Sequence, residues 1–537
     1  MSSRTLKPTV CYQFALSTVG KLRLMCTLGM LTMIVLSGSA FAQSAFEIVP
    51  GPCVVPVPDE AEITSDVSCG TFYVPRDRSY PNDDLIGLPF VRASQKREAA
   101  DPPMFMLSGG PGSSLLTEGI YAVFSDPMLG PLIATRDIFI LEERGSKHSV
   151  PSLDCTPFHR LPWRAVVEDK TKSDTTNWLR DAIQTCKSDA EADGIDLTKF
   201  NSLQMAQDLD AACEAFGYEK IAVYGASYGT LLAQHYARMF GNNLEALILD
   251  GAETPTTQNW AENRAIAVDF SIGQLATQCS AEPKCAAEFD LLSLVQEGID
   301  LFQEGPIPTT YVNPKDETET LTFSISKQSF VEFVFERQSG QISVGSLPAI
   351  LTLLLADGRA SLSEGLGPII GQAALEARDT PAGNLASLMH FTVVCSEDPV
   401  NSTEDVKTTP DTSEYASLFS GLVGEQYNTA CETLALPELS PDTDEPLRAD
   451  VPTLILTGQL DARTPAFLAD KVEESLPNAQ QFVFPSGTHV QIGEFNRCAA
   501  SLLVKFLADV SNVVSAPCLN ELEPVNFVLP DGSLSRD

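Results

Sequence analysis

A serine between two glycines, in the run Gly225-Ala-Ser227-Tyr-Gly229, is the first candidate for chemistry in this chain. Apolar β-forming residues (221–224) precede it, and an apolar pattern with helical spacing follows from residue 231. Strand, sharp turn and helix together predict a nucleophile elbow, which exposes a serine hydroxyl above the end of a parallel sheet. Side chains at 225 and 229 would collide in such a turn, which explains the two glycines. A glycine-rich turn with a solvated serine is the alternative.

A serine hydroxyl needs a general base, and that base needs an acid to orient it. Of the five histidines, His489 is the one that follows a late strand pattern, and ligands gather at strand ends in parallel sheets. Asp461 follows the strand pattern before it, so we expect both side chains at one sheet edge. The chain order serine, aspartate, histidine is the order of a triad on this topology. A structural histidine and an aspartate that caps the next helix are the alternatives.

The negative charge that develops during acyl transfer needs backbone N–H donors. Tyr228 directly follows the candidate nucleophile, so its N–H is one expected donor. The second is expected from the glycine-rich run Ser108-Gly-Gly-Pro-Gly-Ser-Ser114, which follows a strand pattern. Gly110 is the favoured residue within this run. The predicted oxyanion hole therefore consists of Gly110 and Tyr228.

Strand and helix patterns alternate through most of the chain. They predict strands near 70–75, 85–92, 103–107, 137–141, 220–224, 244–249, 452–456 and 481–484, and helices near 203–216, 466–476 and 499–510. This rhythm predicts an α/β fold, with a mostly parallel central sheet and helices on both faces. The polar stretch that begins at Pro151 is expected to form surface loops and short helices.

The rhythm stops near the middle of the chain, where helical patterns with acidic, proline-containing connections dominate. Pro348 and Pro368 suit the first turns of two of these helices, where a missing N–H costs nothing. We therefore expect an inserted, mainly helical cap at 255–448. The two parts of the α/β core would then be 43–254 and 449–537.

The first 42 residues contain four basic residues and no acidic one. An apolar run at Leu24–Leu36 is followed by Ala40-Phe-Ala42, which predicts a secretory signal peptide cleaved before Gln43. The run is too short to cross a membrane as a helix, although an uncleaved anchor is the alternative. We therefore expect the mature protein to be exported, to the periplasm or the medium, without stable membrane insertion.

The chain has 537 residues, a formal net charge of −36 and a pI near 4.4. This acidity argues against nucleic acid as a partner, because nucleic-acid binding needs a basic surface. No group of cysteines and histidines has the spacing of a zinc site. The sequence implies neither a metal nor an organic cofactor, and it does not indicate an oligomeric state.

Eleven cysteines follow the predicted signal peptide, and disulfides are expected in an exported protein. Sequence alone does not fix their connectivity. Sequence order suggests five local pairs, namely Cys53–Cys69, Cys155–Cys186, Cys279–Cys285, Cys395–Cys431 and Cys498–Cys518. Cys213 is left over, and its place on an apolar helical stripe predicts a buried, unreactive thiol rather than a nucleophile.

These motifs resemble those of the α/β-hydrolase peptidases, and in particular the exported tripeptidyl-aminopeptidase-like group related to proline iminopeptidases. They are Gly109-Gly-Pro-Gly112, Gly225-Ala-Ser-Tyr-Gly-Thr230, Gly458-x-x-Asp461-x-x-Thr-Pro465, and His489 followed by Cys498. The resemblance covers most of residues 50–520 and supports the five local disulfides. It implies a serine hydrolase that removes residues from free peptide N-termini beneath a closing cap.

The chain departs from the family pattern in ways that bear on substrate choice more than on chemistry. Glu142-Glu-Arg-Gly145 stands where relatives more often have Asp-Gln-Arg-Gly. Thr488-His-Val490 stands in place of Gly-His-Gly. All members of the predicted triad are retained.

An aminopeptidase needs an anionic anchor, since an unpaired substrate ammonium is costly in a closed site. The run Val394-Cys-Ser-Glu-Asp398 supplies the candidates Glu397 and Asp398, with a solvated acidic loop as the alternative. The expected function is an exported serine aminopeptidase acting on a peptide or small acyl substrate. An esterase or lipase-like hydrolase with the same triad is the second hypothesis, because fold does not fix function. A non-catalytic binding protein of this fold is the third.

Overall fold

The computed structural model describes residues 46–58, 63, 65–80, 84–95, 99–125, 129–168, 172–381, 383–493 and 496–536. The predicted signal peptide lies outside the described residues. In the described part of the chain, no helix is both long enough and apolar enough to cross a membrane.

The described strands pair into a nine-stranded sheet and a two-stranded hairpin. The strands are β1 (Glu47–Pro50), β2 (Asp66–Pro75), β3 (Leu85–Ser94), β4 (Met104–Leu107), β5 (Ile138–Leu141), β6 (Ile221–Ala226), β7 (Leu244–Asp250), β8 (Ile307–Val312), β9 (Thr320–Ile325), β10 (Thr453–Gly458) and β11 (Ala479–Phe484). The large sheet has the order β1-β2-β3-β5-β4-β6-β7-β10-β11. Its pairs are antiparallel from β1 to β5 and parallel from β5 to β11.

The helices of the described chain divide into those that flank the sheet and those that form a separate helical layer. They are α1 (Gly119–Ser125), α2 (Gly130–Thr135), α3 (Thr156–His159), α4 (Leu161–Glu168), α5 (Lys172–Ala192), α6 (Ser202–Phe216), α7 (Tyr228–Phe240), α8 (Arg264–Ala281), α9 (Pro283–Glu288), α10 (Leu291–Asp300), α11 (Lys327–Ser339), α12 (Gln341–Val344), α13 (Leu347–Leu355), α14 (Arg359–Asp379), α15 (Ser387–Glu397), α16 (Glu414–Leu434), α17 (Ala466–Ser475) and α18 (Arg497–Ala508).

Strand β6 shows why the central strands are almost continuously apolar. Ile221 and Val223 pack into a core on one face of the sheet, together with residues of α6, α7 and α17. The alternate residues Ala222 and Tyr224 pack on the other face, with residues of α1, α2 and α18. A strand that is buried on both faces needs apolar side chains at every position. The predicted α/β fold with helices on both faces is confirmed.

Residues 264–434, here called the helical region, contain α8–α16 together with the hairpin β8–β9, which the sequence patterns did not predict. The expected helix start at Pro368 is wrong, because Pro368 lies inside α14. That helix packs against β8, and a side chain at Gly367 or Gly371 would overlap Thr309 or Tyr311. Because this close packing holds α14 against the hairpin, the helix continues past Pro368. Pro348, in contrast, does lie in the first turn of α13.

The stretch after Pro151 also differs from expectation, because it contains the 21-residue helix α5. This helix packs beside α16 of the helical region, and Lys187 Nζ donates to the Leu434 carbonyl over 2.7 Å. The helical layer is thus built from two separate stretches of chain. The domain boundaries given above remain predictions.

All five suggested disulfides are present in the structure. Cys213 is free and buried in α6. Burial in apolar surroundings raises the pKa of its thiol to about 12. The structure therefore agrees with an inert thiol at this position.

Candidate active site

Ser227 lies at the junction of β6 and α7, in a backbone conformation that L-residues rarely adopt (φ 54°, ψ −124°). A side chain at Gly225 would overlap the Gly229 carbonyl, and one at Gly229 would lie 2.6 Å from the Ser108 carbonyl oxygen. This confirms the steric reason for glycine at both positions. The Ser227 N–H donates to the Asp250 carbonyl over 2.9 Å, which ties the turn to the end of β7.

Asp461 follows β10 and is completely buried, and four hydrogen bonds meet at its carboxylate. One oxygen accepts the N–H groups of Arg463 and Thr464 at 2.8 Å each. The other accepts the Thr464 hydroxyl at 2.7 Å and His489 Nδ1 at 2.9 Å. Burial opposes ionisation, but the charge and hydrogen bond of His489 and the Thr464 donors outweigh it and lower the pKa of Asp461. Because Nδ1 donates to this carboxylate, Nε2 of the neutral ring keeps a lone pair that can accept a proton.

Asp250 connects the serine and the histidine, and sequence reasoning missed this residue. Its carboxylate accepts the N–H groups of Gln491 and Ile492 at 2.7 Å each, just after His489. A Cβ at the neighbouring Gly251 would lie 3.4 Å from the His489 ring. The end of β7 therefore borders both His489 and Ser227. No hydrogen bond joins Ser227 Oγ to His489 among the described residues; in unliganded sites such contacts often tighten only when substrate binds.

The glycine-rich loop after β4 approaches the nucleophile most closely at Gly109, where a Cβ would lie 3.1 Å from Ser227 Cβ. Gly110 has φ 117°, a conformation open to glycine. Within the described chain, its N–H donates to no other group. Tyr228 is the first residue of α7, so its N–H has no partner within the helix. Neither predicted oxyanion donor, Gly110 N–H or Tyr228 N–H, has a hydrogen-bond partner among the described residues.

Two adjacent buried acids, Glu142 and Glu143, support this loop. Glu142 accepts the Ser114 hydroxyl at 2.8 Å. One carboxyl oxygen of Glu143 accepts the Ser108 N–H at 3.2 Å, and the other has no described partner. Burial, with the neighbouring Glu142, raises the pKa of Glu143 to about 8. Burial therefore favours the protonated, neutral form of Glu143.

The loop after His489 shows a second departure from the family pattern. Val490 has φ 64°, in the left-handed region that favours glycine. The Asp250 contacts on Gln491 and Ile492 hold this conformation in place. The family glycine would adopt it freely, so here the surrounding hydrogen bonds replace glycine's conformational freedom.

Comparisons with known proteins agree with this geometry. The family described as the α/β-hydrolase fold matches residues 102–277, and the family described as TAP-like protein matches residues 416–512. The chain thus has the α/β-hydrolase fold. The resemblance to the tripeptidyl-aminopeptidase-like group is confirmed.

Two curated relatives and one solved structure are similar to this chain. The serine protease Hip1 of Mycobacterium tuberculosis is 26% identical over 245 residues, which are 44% of this chain and 46% of Hip1. The tripeptidyl aminopeptidase of Streptomyces coelicolor is 25% identical over 194 residues, 35% of this chain and 36% of that enzyme. The chain thus matches less than half the length of these relatives. A proline iminopeptidase from Mycobacterium smegmatis aligns with a TM-score of 0.39 at 12% identity, over 82% of this chain and 98% of its own.

The two predicted anchor residues have different surroundings. Glu397, at the end of α15, accepts the N–H of Ser202 at 2.6 Å and its hydroxyl at 2.7 Å. Burial raises the pKa of Glu397 to about 7. The Asp398 carboxyl has no described hydrogen bond, and burial together with the charges of Glu397, Asp444 and Glu253 raises its pKa well above the usual range. Asp398 is therefore the acid that is free to receive a ligand.

Glu253, three residues past the end of β7, is a further buried acid that the sequence analysis missed. Its carboxylate lies 3.8 Å from the Arg264 guanidinium. Burial raises its pKa, and the charges of Arg264 and His489 oppose that effect. Glu253 is therefore within electrostatic range of both His489 and Asp398. An Asp-Gly-Ala-Glu sequence at a strand end was the available signal.

Thr464 is part of a motif quoted in the sequence analysis, which gave it no role. Its hydroxyl donates to Asp461 and lies 3.2 Å from His489 Nδ1. It therefore helps to orient both groups. No cluster of three or more histidine, cysteine, aspartate or glutamate residues suited to a metal occurs in the described ranges.

Proposed function

We propose that this hydrolase is an exported serine aminopeptidase. Ser227 Oγ attacks the substrate carbonyl carbon while His489 Nε2 accepts its proton, and Asp461 holds the ring and stabilises its charge. The N–H groups of Tyr228 and Gly110 stabilise the oxyanion. His489 then protonates the leaving amine, and water hydrolyses the acyl-enzyme by the same route. The hydrogen bond between Asp461 and His489 at the sheet edge that carries the strained Ser227 is the observation that supports this mechanism most strongly.

Peptides with a free N-terminus are the proposed substrates. Asp398 supports this choice, because it is buried and its carboxyl has no described hydrogen-bond donor. A substrate ammonium would supply the missing positive charge, with Glu253 as a second acid nearby. The names of the two curated relatives, a serine protease and a tripeptidyl aminopeptidase, favour peptide bonds over esters.

Export is proposed from the N-terminal sequence together with the five disulfides, which are typical of oxidising compartments. Expression of the full chain in a bacterial host with a Sec pathway tests this proposal. The secreted or periplasmic product should begin at Gln43 by N-terminal mass spectrometry. Retention of the full-length chain in the membrane fraction would indicate the uncleaved anchor instead.

A panel of substrates tests the activity. Aminoacyl- and tripeptidyl-coumarin amides, their N-acetylated forms and p-nitrophenyl esters would be offered to the mature protein, with Ser227→Ala as the blank. Amide turnover that requires a free N-terminus supports the aminopeptidase. Ester turnover alone would support an esterase. An absence of labelling by a fluorophosphonate probe would favour a binding protein and contradict the proposal.

A further inference from the structure

We propose that helix α15 is a brace that positions both donors of the oxyanion hole, one through Glu397 and the other through His390. The inference rests on the proposed serine-hydrolase mechanism and adds positioning residues to it. Helix α15 belongs to the helical region, whereas Gly110 and Tyr228 belong to the sheet edge. The brace therefore links the oxyanion hole to a part of the chain far away in sequence.

The first arm of the brace runs from Tyr228 to Glu397. The Tyr228 hydroxyl is buried and lies 2.6 Å from Ser202 Oγ. Ser202 has one hydroxyl proton, which it donates to Glu397 over 2.7 Å. Tyr228 must therefore be the donor toward Ser202. The Ser202 N–H also donates to Glu397, over 2.6 Å, so both carboxylate oxygens hold the start of α6.

The second arm runs from the glycine-rich loop to His390 in the middle of α15. His390 Nδ1 lies 2.9 Å from the Pro111 carbonyl oxygen, and Nε2 lies 2.6 Å from the Tyr427 hydroxyl. A carbonyl oxygen only accepts, so Nδ1 carries the hydrogen and Nε2 accepts from Tyr427. Burial lowers the pKa of His390 to about 4, which keeps this neutral tautomer. Beside it, the Ala386 N–H donates to the Gly112 carbonyl over 2.9 Å.

Both donors need such support, because Ser227, just before Tyr228, has a strained backbone, and the glycine at 110 leaves its own backbone free to adopt other conformations. Ser227 has φ 54°, immediately before the Tyr228 N–H, and Gly110 has φ 117°. Such conformations persist only where surrounding contacts hold them. An oxyanion hole also works by having donors in place before charge develops, so small displacements reduce its effect. Loss of either arm should therefore weaken the transition state more than substrate binding.

Steady-state kinetics of single and double variants tests the brace. Ser202→Ala and Tyr228→Phe each break the first arm, and Tyr427→Phe weakens the second by removing the hydrogen bond that holds His390 Nε2. Each should lower kcat by about 10- to 100-fold and leave KM within about threefold, since one lost oxyanion donor costs 100- to 1000-fold. The double variant Ser202→Ala/Tyr228→Phe should lose no more kcat than the more strongly affected single variant, because both changes break the same arm. Ser202→Ala with Tyr427→Phe should multiply the two losses, because the arms are separate.

Two matched controls separate positioning from general stability. Tyr236→Phe removes a buried tyrosine hydroxyl from the same helix α7, and Glu282→Gln alters a carboxylate that caps the distant helix α9. Both should leave kcat unchanged, whatever their effect on Tm.

The kcat of the Glu397→Gln variant should lie between those of wild type and Glu397→Ala, because the amide oxygen of glutamine can still accept a hydrogen bond from Ser202.

Each outcome decides the question. Folded arm variants with unchanged kcat would overturn the brace, as would a rise in KM alone, which would place Glu397 in substrate binding. The brace would also be overturned if the two control variants lost as much kcat as the arm variants. A wild-type protein that neither reacts with fluorophosphonate nor turns over any substrate would instead remove the proposed mechanism on which the brace rests.

Discussion

Asp461 at the sheet edge and Asp398 beyond α15 are both almost fully buried, yet their pKa values shift in opposite directions. The pKa of Asp461 is lowered, because four donors and the charge of His489 outweigh burial. The pKa of Asp398 is raised, because burial and three neighbouring acids act without any described donor. Burial alone therefore does not set the charge of a carboxyl group; the donors arranged around it do.

We interpret this difference as one between the two roles proposed above. At the sheet edge every acceptor of the acid is satisfied by the protein, so Asp461 is ready to orient a base before substrate arrives. Near α15, Glu253 lies beside Arg264, whereas the Asp398 carboxyl has no described hydrogen bond. In the proposed function, a substrate ammonium binds to Asp398. The four predictions below test this contrast.

The largest effect is expected from Asp461→Asn. The asparagine oxygen can still accept the Arg463 and Thr464 N–H groups, so folding should survive. Its amide would donate toward His489 Nδ1 and favour the wrong tautomer, lowering kcat by about 10⁴-fold. Turnover of a coumarin amide measures the loss of catalysis, and Tm measures whether folding survives. A loss below tenfold in a folded variant would show that Asp461 is not the orienting acid.

Asp398→Asn should affect binding rather than chemistry. For peptides with a free N-terminus, KM should rise by about 10- to 100-fold, since the substrate ammonium loses its charged partner. Turnover of p-nitrophenyl esters should stay the same. The control is Asp442→Asn, which removes a carboxylate from the surface. Equal KM changes for charged and uncharged substrates would argue against an ammonium site.

Glu143→Gln should change the pH dependence of stability. The folded-state pKa of about 8 lies above the ordinary value of 4.5, so between these values the folded chain holds a proton that the unfolded chain releases. Stability therefore falls as the pH rises from 4.5 to 8. The variant lacks this penalty, and its free energy of unfolding at pH 8 should exceed that of wild type by about 1–3 kcal/mol.

Denaturant titrations from pH 4.5 to 9 measure this difference, with Glu304→Gln as an exposed control. The difference in free energy of unfolding between the variant and wild type should vanish toward pH 4.5. A constant gap at every pH would mean that Glu143 does not carry the proton.

Cys213→Ala is expected to have the smallest effect. The thiol is buried, its pKa is raised to about 12, and it lies outside the proposed site. We expect unchanged kcat, a stability loss of about 1–2 kcal/mol from the small cavity, and no iodoacetamide labelling of the native protein at pH 8. Rapid labelling with loss of activity would give Cys213 a role that the structure does not support.

The core of the fold was predictable from local patterns, because strands buried on both faces must be apolar throughout and the elbow requires glycine at 225 and 229. The helical layer was less predictable from local patterns. Pro368 lies inside α14, and the long helix α5 occupies a stretch expected to form loops and short helices, since packing against β8 and α16 overrode local signals. The strands of the hairpin β8–β9 do alternate between buried and exposed residues, and the sequence analysis missed this pattern.

The amino-acid sequence by itself determined the sheet, the elbow and the order of serine, aspartate and histidine, because these depend on periodicity and on residues at strand ends. Only the tertiary structure distinguished Glu397 from Asp398. They are neighbours of similar chemistry, and nothing local indicates which one meets a donor. Ser202, 195 residues away in the chain, satisfies Glu397 and leaves Asp398 without one. Hydrogen-bond partners of buried acids arise from the folding together of distant segments, so their charge and role are properties of the fold.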